Sequence, residues 1–204
     1  MSTSALASPA AISAASLDPR AQRSRDLLIA AMIEHLDRTL TPPGISELVK
    51  AAGSSRPTFY QHFGDIPTLM HEAAMRRLES AFAAFPAPTA EHTGPWTDFA
   101  TAHFPTLFTH LVEHRDFYLA IVDGPSGVAA LNRLIEFLAA RMQLSAPLHA
   151  AIVRRVGAAE APRFAQFLAS GLTLVAVDDL RAHTDVPSMV ATTTAYLAAA
   201  TDSR

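Results

Sequence analysis

The chain of 204 residues contains no cysteine. That absence excludes disulfide bonds, thiolate metal sites and cysteine nucleophiles together. No apolar run approaches the length that a membrane-spanning helix needs, so no membrane partner is expected. Nucleotide-binding glycine motifs are missing, and the nearest match to a G-x-S-x-G turn, at residues 124–127, is one residue short. These absences predict a protein that is not an enzyme and that uses no cofactor.

Positive charge is scarce as well. Lys50 is the only lysine, and the formal net charge is −3. Any contact with DNA must therefore come from a local basic patch. Nine histidines invite a metal site, and His110 and His114 have a spacing that can chelate. No carboxylate or cysteine pattern completes a site around them and His103, so we predict no metal and interpret all three as core or pocket-lining histidines.

The first 19 residues are rich in serine and alanine and carry no charge before Asp18. They lack the basic start and the long apolar centre of a secretory signal peptide. We expect a flexible N-terminal arm over residues 1–19 and a cytoplasmic protein.

Hydrophobic and helix-forming residues dominate the rest of the chain. Half of all residues are hydrophobic, and runs of β-branched residues are few, which predicts an all-α fold with a substantial core. Breakers such as Pro42, Pro43 and Gly44 divide the chain. The predicted long helices are 19–38, 65–85, 96–114 (kinked at Pro105), 128–142, 162–183 and 187–201, with shorter ones at 117–122 and 145–157 and a rigid loop at 86–95.

Residues 45–63 are the most informative stretch and predict two short helices separated by a turn. The first helix has one apolar stripe, formed by Ile45, Leu48, Val49 and Ala52. Gly53 can adopt the left-handed conformation that ends it. Ser54 and Ser55 are candidate N-caps of the second helix, with Pro57 in its first turn. Two helices that meet at such a turn form a helix-turn-helix, whose second helix lies in the DNA major groove.

The second helix predicts a DNA-reading surface. Phe59 and Phe63 lie one turn apart and face inward, which leaves polar residues outside. Arginine suits guanine, glutamine suits adenine, and hydroxyl groups suit phosphates. The predicted DNA-contacting residues are Arg56, Pro57, Thr58, Tyr60, Gln61, His62 and Ser55, together with Ser46 and Arg23 on the two preceding helices. The alternative is a plain helical hairpin with a solvated polar face.

Residues 51–65, A-A-G-S-S-R-P-T-F-Y-Q-H-F-G-D, resemble the signature of the tetracycline-repressor (TetR) family of transcription regulators. The matching residues are Ala52, Gly53, Ser55, Thr58, Phe59, Tyr60, His62 and Phe63. The resemblance implies a three-helix DNA-binding domain at residues 20–66 and a helical ligand-binding and dimerisation domain at residues 67–204. The chain departs from the family pattern at Gly44, where a capping Ser or Thr is usual, and at Ile66, near which the family often has a phosphate-binding lysine.

Three arginines at the start of the first helix, Arg20, Arg23 and Arg25, suit contacts with backbone phosphates. Ordinary solvated charge explains them equally well. The helix that begins after Asp65 joins the DNA-reading unit to the rest of the chain, so its tilt would relay a signal from a ligand.

Aromatic residues are concentrated between residues 96 and 167. Mixed with a few polar residues, they favour an apolar ligand cavity between the helices at 96–114, 128–142 and 162–183. The alternative is a well-packed core. The predicted cavity residues are Phe99, His103, Phe104, Leu107, Phe108, Tyr118, Phe137, Phe164, Phe167 and Leu168, and the expected ligand is a small hydrophobic or aromatic molecule that releases DNA.

The last two helices predict a homodimer, because one recognition helix reads only a few base pairs of a palindromic operator. The apolar stripe at 164–179 and the one at 189–200 would form a four-helix bundle with a second chain, with Leu172 and Leu197 at the seam. These stripes also suit the core of a single chain. A helical ligand-binding or protein-interaction protein that has lost DNA binding is the alternative function, and Ile66 favours it.

Overall fold

The computed structural model describes residues 19–83, 85 and 95–202, and the predicted all-α fold is confirmed over them. Ten α-helices and no strand are present in these ranges. In chain order they are α1 (Pro19–Leu36), α2 (Ile45–Ala51), α3 (Arg56–His62), α4 (Ile66–Phe82), α5 (Trp96–Glu113), α6 (Arg115–Val122), α7 (Gly127–Leu144), α8 (Ala146–Val156), α9 (Ala161–Ala182) and α10 (Val186–Thr201).

Several predicted helix ends were wrong by two or three residues. α4 ends at Phe82, short of residue 85, because the N–H of Ala83 already closes its last turn on the carbonyls of Glu79 and Ser80. α6 begins at Arg115, since His114 serves as both the last cap of α5 and the first cap of α6. Residues 1–18 of the arm predicted at 1–19, and residues 86–94 of the loop predicted at 86–95, lie outside the described residues, whereas Pro19 already belongs to α1.

Side-chain caps start three of the described helices, and two of these caps, Ser55 and Asp65, lie where the sequence predicted a helix start. The carboxylate of Asp65 accepts a hydrogen bond from the backbone N–H of Thr68 at 2.8 Å. The hydroxyl and backbone of Thr68 both hold the pKa of Asp65 below its ordinary value, because they favour its charged form. Asp185 caps α10 in the same way through Ser188 at 2.9 Å, and Ser55 caps α3. Gly44 begins α2 without any side-chain cap.

The core consists of two clusters of buried residues, and their boundary does not coincide with the predicted domain boundary at residue 66. The first cluster combines the apolar faces of α1–α4 with residues of α5, α6, α7, α9 and α10, so it runs without interruption across residue 66. The second cluster lies among α5, α7, α8, α9 and α10, around Ile152, Ala165 and Leu197. Phe104 on α5 packs against both clusters. The N-terminal helices therefore pack directly against the C-terminal helices and are not connected to them by a linker alone.

Ion pairs hold α1 against α4. The pairs are Arg25–Glu72, Asp26–Arg76 at 2.7 Å and Asp37–Arg77 at 2.6 Å. Glu72 also accepts from Arg133 of α7 at 3.0 Å, so its carboxylate connects three helices. Since α4 carries one partner of every pair, it is the helix through which the N-terminal and C-terminal parts are joined.

None of the helices within the described ranges combines the length and the apolarity that crossing a membrane requires.

Gly127 allows a close approach of backbone to backbone at the turn between α6 and α7. A Cβ atom at this position would lie 1.9 Å from the carbonyl oxygen of Val122 and 2.8 Å from its carbonyl carbon. Both obstacles are backbone atoms, so a side-chain rotation cannot relieve them.

We predict that Gly127→Ala destabilises the protein by at least about 1–3 kcal/mol, because overpacking against backbone forces the two helices apart. Gly64→Ala is the matched control, since Gly64 is exposed, has no left-handed φ, and an added Cβ meets no atom within 4 Å. The control should leave the free energy of unfolding unchanged or raise it by up to about 1 kcal/mol. Urea denaturation of both variants measures the difference, and equal stabilities would contradict the role assigned to Gly127.

Candidate functional site

The turn between α2 and α3 has the geometry that its sequence predicted. Gly53 adopts φ +58°, in the left-handed region. The hydroxyl of Ser55 accepts from the N–H of Thr58 at 3.3 Å, and Pro57 lies in the first turn of α3. Phe59 and Phe63 are 0% and 2% exposed, with ring centroids 6.1 Å apart. The buried pair sets the rotation of α3 and so decides which of its residues face outward.

The outward face of α3 carries four of the nine predicted DNA-contacting residues. Tyr60 is 55% exposed, and Arg56, Pro57 and Gln61 are also exposed. Ser46 on α2 and Arg23 on α1 are exposed too, and Lys50 at the end of α2 adds a further cation.

These cations have no acidic partners in the part of the chain that the structure describes. Within residues 19–83, 85 and 95–202, neither Arg56, Arg23 nor Lys50 forms an ion pair. Elsewhere on α1 and α4 most arginines are paired with carboxylates. Each of the three cations is exposed and has no ion pair among the described residues, which is the state that a local basic patch for DNA requires.

Two of the predicted DNA-contacting side chains form a hydrogen bond with each other, and a third is half-buried. The hydroxyls of Ser55 and Thr58 lie 2.8 Å apart, so each already has one partner. His62 is half-buried, and its Nε2 atom is enclosed without a hydrogen-bond partner among the described residues. These residues hold the shape of α3 more than they extend its polar surface.

A contact between Arg25 and a DNA phosphate would require its guanidinium to face outward, and it does not. Its guanidinium pairs with Glu72 and lies 5.7 Å from the centroid of the Phe63 ring. It therefore fastens α1 to α3 and α4. Sequence reasoning missed this role because a carboxylate 47 residues away gives no local signal.

Both departures from the family pattern have structural consequences. Ile66 is partly buried and packs against the first core cluster, so this position provides an apolar contact rather than a cation. Gly44 leaves the first N–H groups of α2 without a side-chain partner.

A cavity of about 330 Å³ lies in the C-terminal body, between the two core clusters. Five of the ten predicted ligand-binding residues line it: Phe99, Phe104, Leu107, Phe108 and Tyr118. Helices α4 to α10 all contribute to its wall. The volume falls within the range of small-molecule sites, about 300–1,000 Å³.

The other five predicted residues lie outside the lining. The His103 ring packs on Phe85 and Phe99, at centroid distances of 5.3 and 4.6 Å, and Phe137 lies edge-on to Phe82 at 5.4 Å. Leu168 is buried in the second core cluster. Phe164 and Phe167 stack on each other at 6.0 Å, and Phe167 is 68% exposed. The ten predicted residues therefore divide equally between the cavity wall and positions outside it.

Sequence reasoning missed several parts of the cavity wall. Leu78 and Phe82 of α4, Leu148 of α8 and Thr193 of α10 line it, as does Arg141 of α7. A signal for Arg141 was present in the sequence. It continues the stripe of Leu134 and Leu138 at a spacing of three residues, and a single charge on an apolar stripe predicts a specific polar contact.

The seam residues chosen for a dimer were wrong. Leu172 and Leu197 both line the cavity, and Leu197 is 1% exposed within the single chain. The exposed apolar side chains of the last two long helices are instead Phe167 and Leu174 on α9 and Tyr196 on α10, at 68%, 51% and 55% exposure. A helix that is apolar on several sides does not reveal from sequence which side faces inward.

A polar network extends from the cavity wall to α1. Tyr118, which lines the cavity, lies with its hydroxyl 3.0 Å from the Nε2 of His110. The ring of His110 is 4.7 Å from the ring of His114. Burial and the positive charge of Arg77 lower the pKa of His114, whereas the negative charge of Asp37 raises it.

Arg77 is the centre of this network. Its side chain is only 9% exposed, and two guanidinium nitrogens each lie 2.6 Å from an oxygen of Asp37. Its guanidinium carbon is 4.2 Å from the centroid of the Phe117 ring of α6. The hydrogen bonds from Arg77 hold the pKa of Asp37 below its ordinary value. Burial raises the pKa of Tyr118 far above its ordinary value.

The predicted absence of a metal at His110 and His114 stays a prediction. Among the described residues, no group of three His, Cys, Asp or Glu side chains is placed to hold a metal ion. Burial, followed by the neighbouring positive charges, lowers the pKa of both His110 and His114. Neutral imidazoles are therefore the stable form at this junction.

No protein-family model matches the chain, and comparison with curated proteins finds no significant relative. Only the chemistry of the site itself therefore bears on the function.

We predict that the free energy of unfolding falls as the pH drops below about 6.5, the ordinary pKa of histidine. The unfolded chain takes up protons at His110 and His114 more readily than the folded chain, whose histidine pKa values are lowered. Acid therefore favours unfolding, and stability is regained as the pH rises through this window. Glu113, which raises both pKa values, only partly offsets the effect.

Urea denaturation between about pH 5 and about pH 8 measures this dependence. His110→Asn combined with His114→Asn should flatten the profile below pH 6.5, whereas the control His183→Asn should not, because His183 is exposed and asparagine tolerates its left-handed φ of 57°. A profile that is equally steep in the double variant would show that other groups cause the acid sensitivity.

Proposed function

We propose that this protein is a sequence-specific DNA-binding transcription regulator of the kind that its TetR-like segment implies, and that it acts as a repressor released by a small apolar ligand. The observation that carries the proposal is the exposed face of α3. It combines Arg56 and Gln61, side chains suited to base edges, with Tyr60, suited to phosphate, on a helix oriented by buried Phe59 and Phe63.

The arrangement of cations supports DNA as the partner. Arg56, Lys50 and Arg23 lie on three successive helices and are exposed without acidic partners in the described part of the chain. The net charge of the whole chain is −3, so these residues are a local concentration and not a general trend. Contacts of this type provide affinity that falls with salt and position the recognition helix.

Helix α4 supports coupling between a ligand and DNA. Its Leu78 and Phe82 line the cavity, and its Glu72, Arg76 and Arg77 pair with α1. A ligand that binds more tightly to an arrangement with a shifted α4 would move α1 and, with it, α3. Such a ligand lowers DNA affinity only by its preference for that arrangement.

A homodimer through α9 and α10 completes the proposal. The exposed side chains Phe167, Leu174 and Tyr196 leave an apolar surface on these helices that nothing in the described chain covers. Gly171, exposed between Phe167 and Leu174 in the sequence, has open space beside it for close approach of a second helix. A second copy of the chain would bury this surface and place two α3 helices on a palindromic site.

A second candidate is a ligand-binding helical protein that has lost DNA binding. Two observations favour it: Ile66 places an apolar contact where a phosphate-binding lysine is expected, and Gly44 leaves α2 without a capping side chain. Selection from random DNA duplexes separates the candidates. Enrichment of a palindrome supports the regulator, and no enrichment at low salt supports the second candidate.

On the selected duplex, we predict that Arg56→Ala or Gln61→Ala weakens binding by about 1–3 kcal/mol and relaxes the preference at particular base pairs. Tyr60→Phe should weaken binding about equally for all sequences, since it removes a phosphate contact. Arg155→Ala is the charge-matched control, because Arg155 is exposed at the end of α8. Titration against point-mutated duplexes measures each effect, and unchanged affinity and preference in Gln61→Ala would show that α3 does not read bases.

For the dimer, we predict that Phe167→Glu and Tyr196→Glu each convert the protein to a monomer without lowering the free energy of unfolding of the single chain, because both side chains are exposed there. Val128→Glu is the control, since Val128 is 76% exposed on α7. Light scattering gives the oligomeric state. A wild-type protein that is monomeric at micromolar concentration, or variants that remain dimers, would rule out this interface.

A further inference from the structure

One residue breaks the apolar character of the cavity. Arg141 is the only charged residue among the described residues that line it. Most of its neighbours in the wall are Leu, Phe, Val, Ala and Met, and the other polar residues are Tyr118, Ser145, Thr173 and Thr193. A guanidinium at the wall of an apolar cavity calls for a specific explanation, because charged groups seldom border such cavities without a partner.

The surroundings of Arg141 hold its guanidinium in place and leave its charge without a counter-ion. One terminal nitrogen donates to the carbonyl oxygen of Phe82 at 3.1 Å. The guanidinium carbon lies 5.0 Å from the centroid of the Phe82 ring and 5.7 Å from that of Phe137. No carboxylate in residues 19–83, 85 and 95–202 forms an ion pair with it. A guanidinium has five N–H donors, so most of them remain for another acceptor.

A second unsatisfied donor lies beside it. The Oγ atom of Ser145, also part of the cavity wall, is buried and has no hydrogen-bond partner among the described residues. The N–H of Ser145 donates to the carbonyl oxygen of Arg141 at 3.0 Å, so the two residues are one helical turn apart, and both line the cavity. Ser145 is the N-cap residue of α8, but its hydroxyl makes no capping bond.

The start of α8 adds to the same electrostatic field. Its first N–H groups have no side-chain cap, and the positive end of a helix favours an anion. The helix end alone would not define a site. Together with Arg141 and the unpartnered Ser145 hydroxyl, it makes one end of the cavity a cluster of donors that carries net positive charge.

We propose that the cavity binds a monocarboxylate with a medium-length apolar tail. The carboxylate would accept hydrogen bonds from Arg141 and Ser145, and the tail would occupy the space among α4, α5, α9 and α10. A planar carboxylate matches the forked donors of a guanidinium, and such charge-assisted bonds are stronger than neutral ones. A cation would be repelled, and a neutral alcohol would leave Arg141 without a counter-ion.

The size of the cavity sets the length of the tail. One water occupies roughly 30 Å³ of liquid, so 330 Å³ corresponds to roughly eleven groups of that size. Decanoate fits this size, and decanol and decylamine are matched probes that change only the head group. This inference rests on the proposed function, since it names the chemical class of the ligand that the regulator would bind in its cavity. Binding of the carboxylate to the free protein can still be measured whether or not the protein binds DNA.

Isothermal titration of the full chain with each probe, below its micelle concentration and without DNA, tests the proposal. Decanoate should bind at least about tenfold more tightly than decanol, and decylamine more weakly than either. Arg141→Gln should remove the preference for decanoate but leave decanol binding unchanged, which shows that the cavity is intact. Arg141→Lys should recover part of the preference, and Ser145→Ala should lose part of it.

Several results would overturn the inference. Decanol binding as tightly as decanoate, undiminished decanoate binding in Arg141→Gln, or no binding of either probe would each contradict it. If Arg141→Gln unfolds, the wild-type ratio of decanoate to decanol affinity still decides the question. Failure of DNA selection with a clear decanoate preference would contradict only the regulator, and DNA binding without that preference would contradict only the carboxylate ligand.

Discussion

The ion pair between the buried Arg77 side chain and Asp37 is the interaction on which the rest of this structure depends. It joins α4 to the end of α1 through two contacts of 2.6 Å, while the Arg77 guanidinium also lies over the Phe117 ring of α6. Asp37 is 39% exposed, so water screens part of this attraction, but the Arg77 side chain is only 9% exposed and would lose both acceptor oxygens if α1 and α4 separated here. The N-terminal helices, which carry the exposed basic residues, therefore move as α4 moves.

The same helix borders the cavity, which gives a physical reason for its proposed role as a relay. Phe82 of α4 forms part of the cavity wall, and its carbonyl oxygen accepts from Arg141. A carboxylate that draws the Arg141 guanidinium toward itself would change this contact at one end of α4, while Arg77 holds α1 nearer the middle. Tyr118 and His110 offer a second connection, from the cavity to the charges around Arg77. The first core cluster is continuous between the N-terminal helices and the C-terminal helices, so a shift of α4 would displace residues in both groups.

Local features of this fold were predictable from the sequence, because short-range chemistry determines them. Gly53, Ser55 and Asp65 specify a turn and two helix starts through backbone conformation and capping bonds that involve only near neighbours. The inward direction of Phe59 and Phe63 follows from helical spacing alone. For these reasons the sequence is sufficient to place the candidate DNA-reading face.

The cavity and the partners of the arginines were harder to predict, because they depend on contacts between distant parts of the chain. Phe167 and Leu172 lie on one apolar helix, yet the first faces solvent and the second lines the cavity. Composition cannot distinguish them, since both sides of α9 are hydrophobic. Arg23 and Arg25 lie two residues apart on α1, and no local signal distinguishes them. The tertiary position of Glu72 pairs Arg25 within the protein, whereas Arg23 stays exposed.

The central claim is that ligand in the cavity and DNA on α3 favour different arrangements of one protein, and thermodynamic linkage tests it most directly. The affinity for decanoate should be measured by titration calorimetry on the free protein and on the protein saturated with its selected duplex. Decanoate should bind the DNA complex more weakly, by the same factor by which decanoate weakens DNA binding. An affinity for decanoate that is the same with and without DNA would contradict the account.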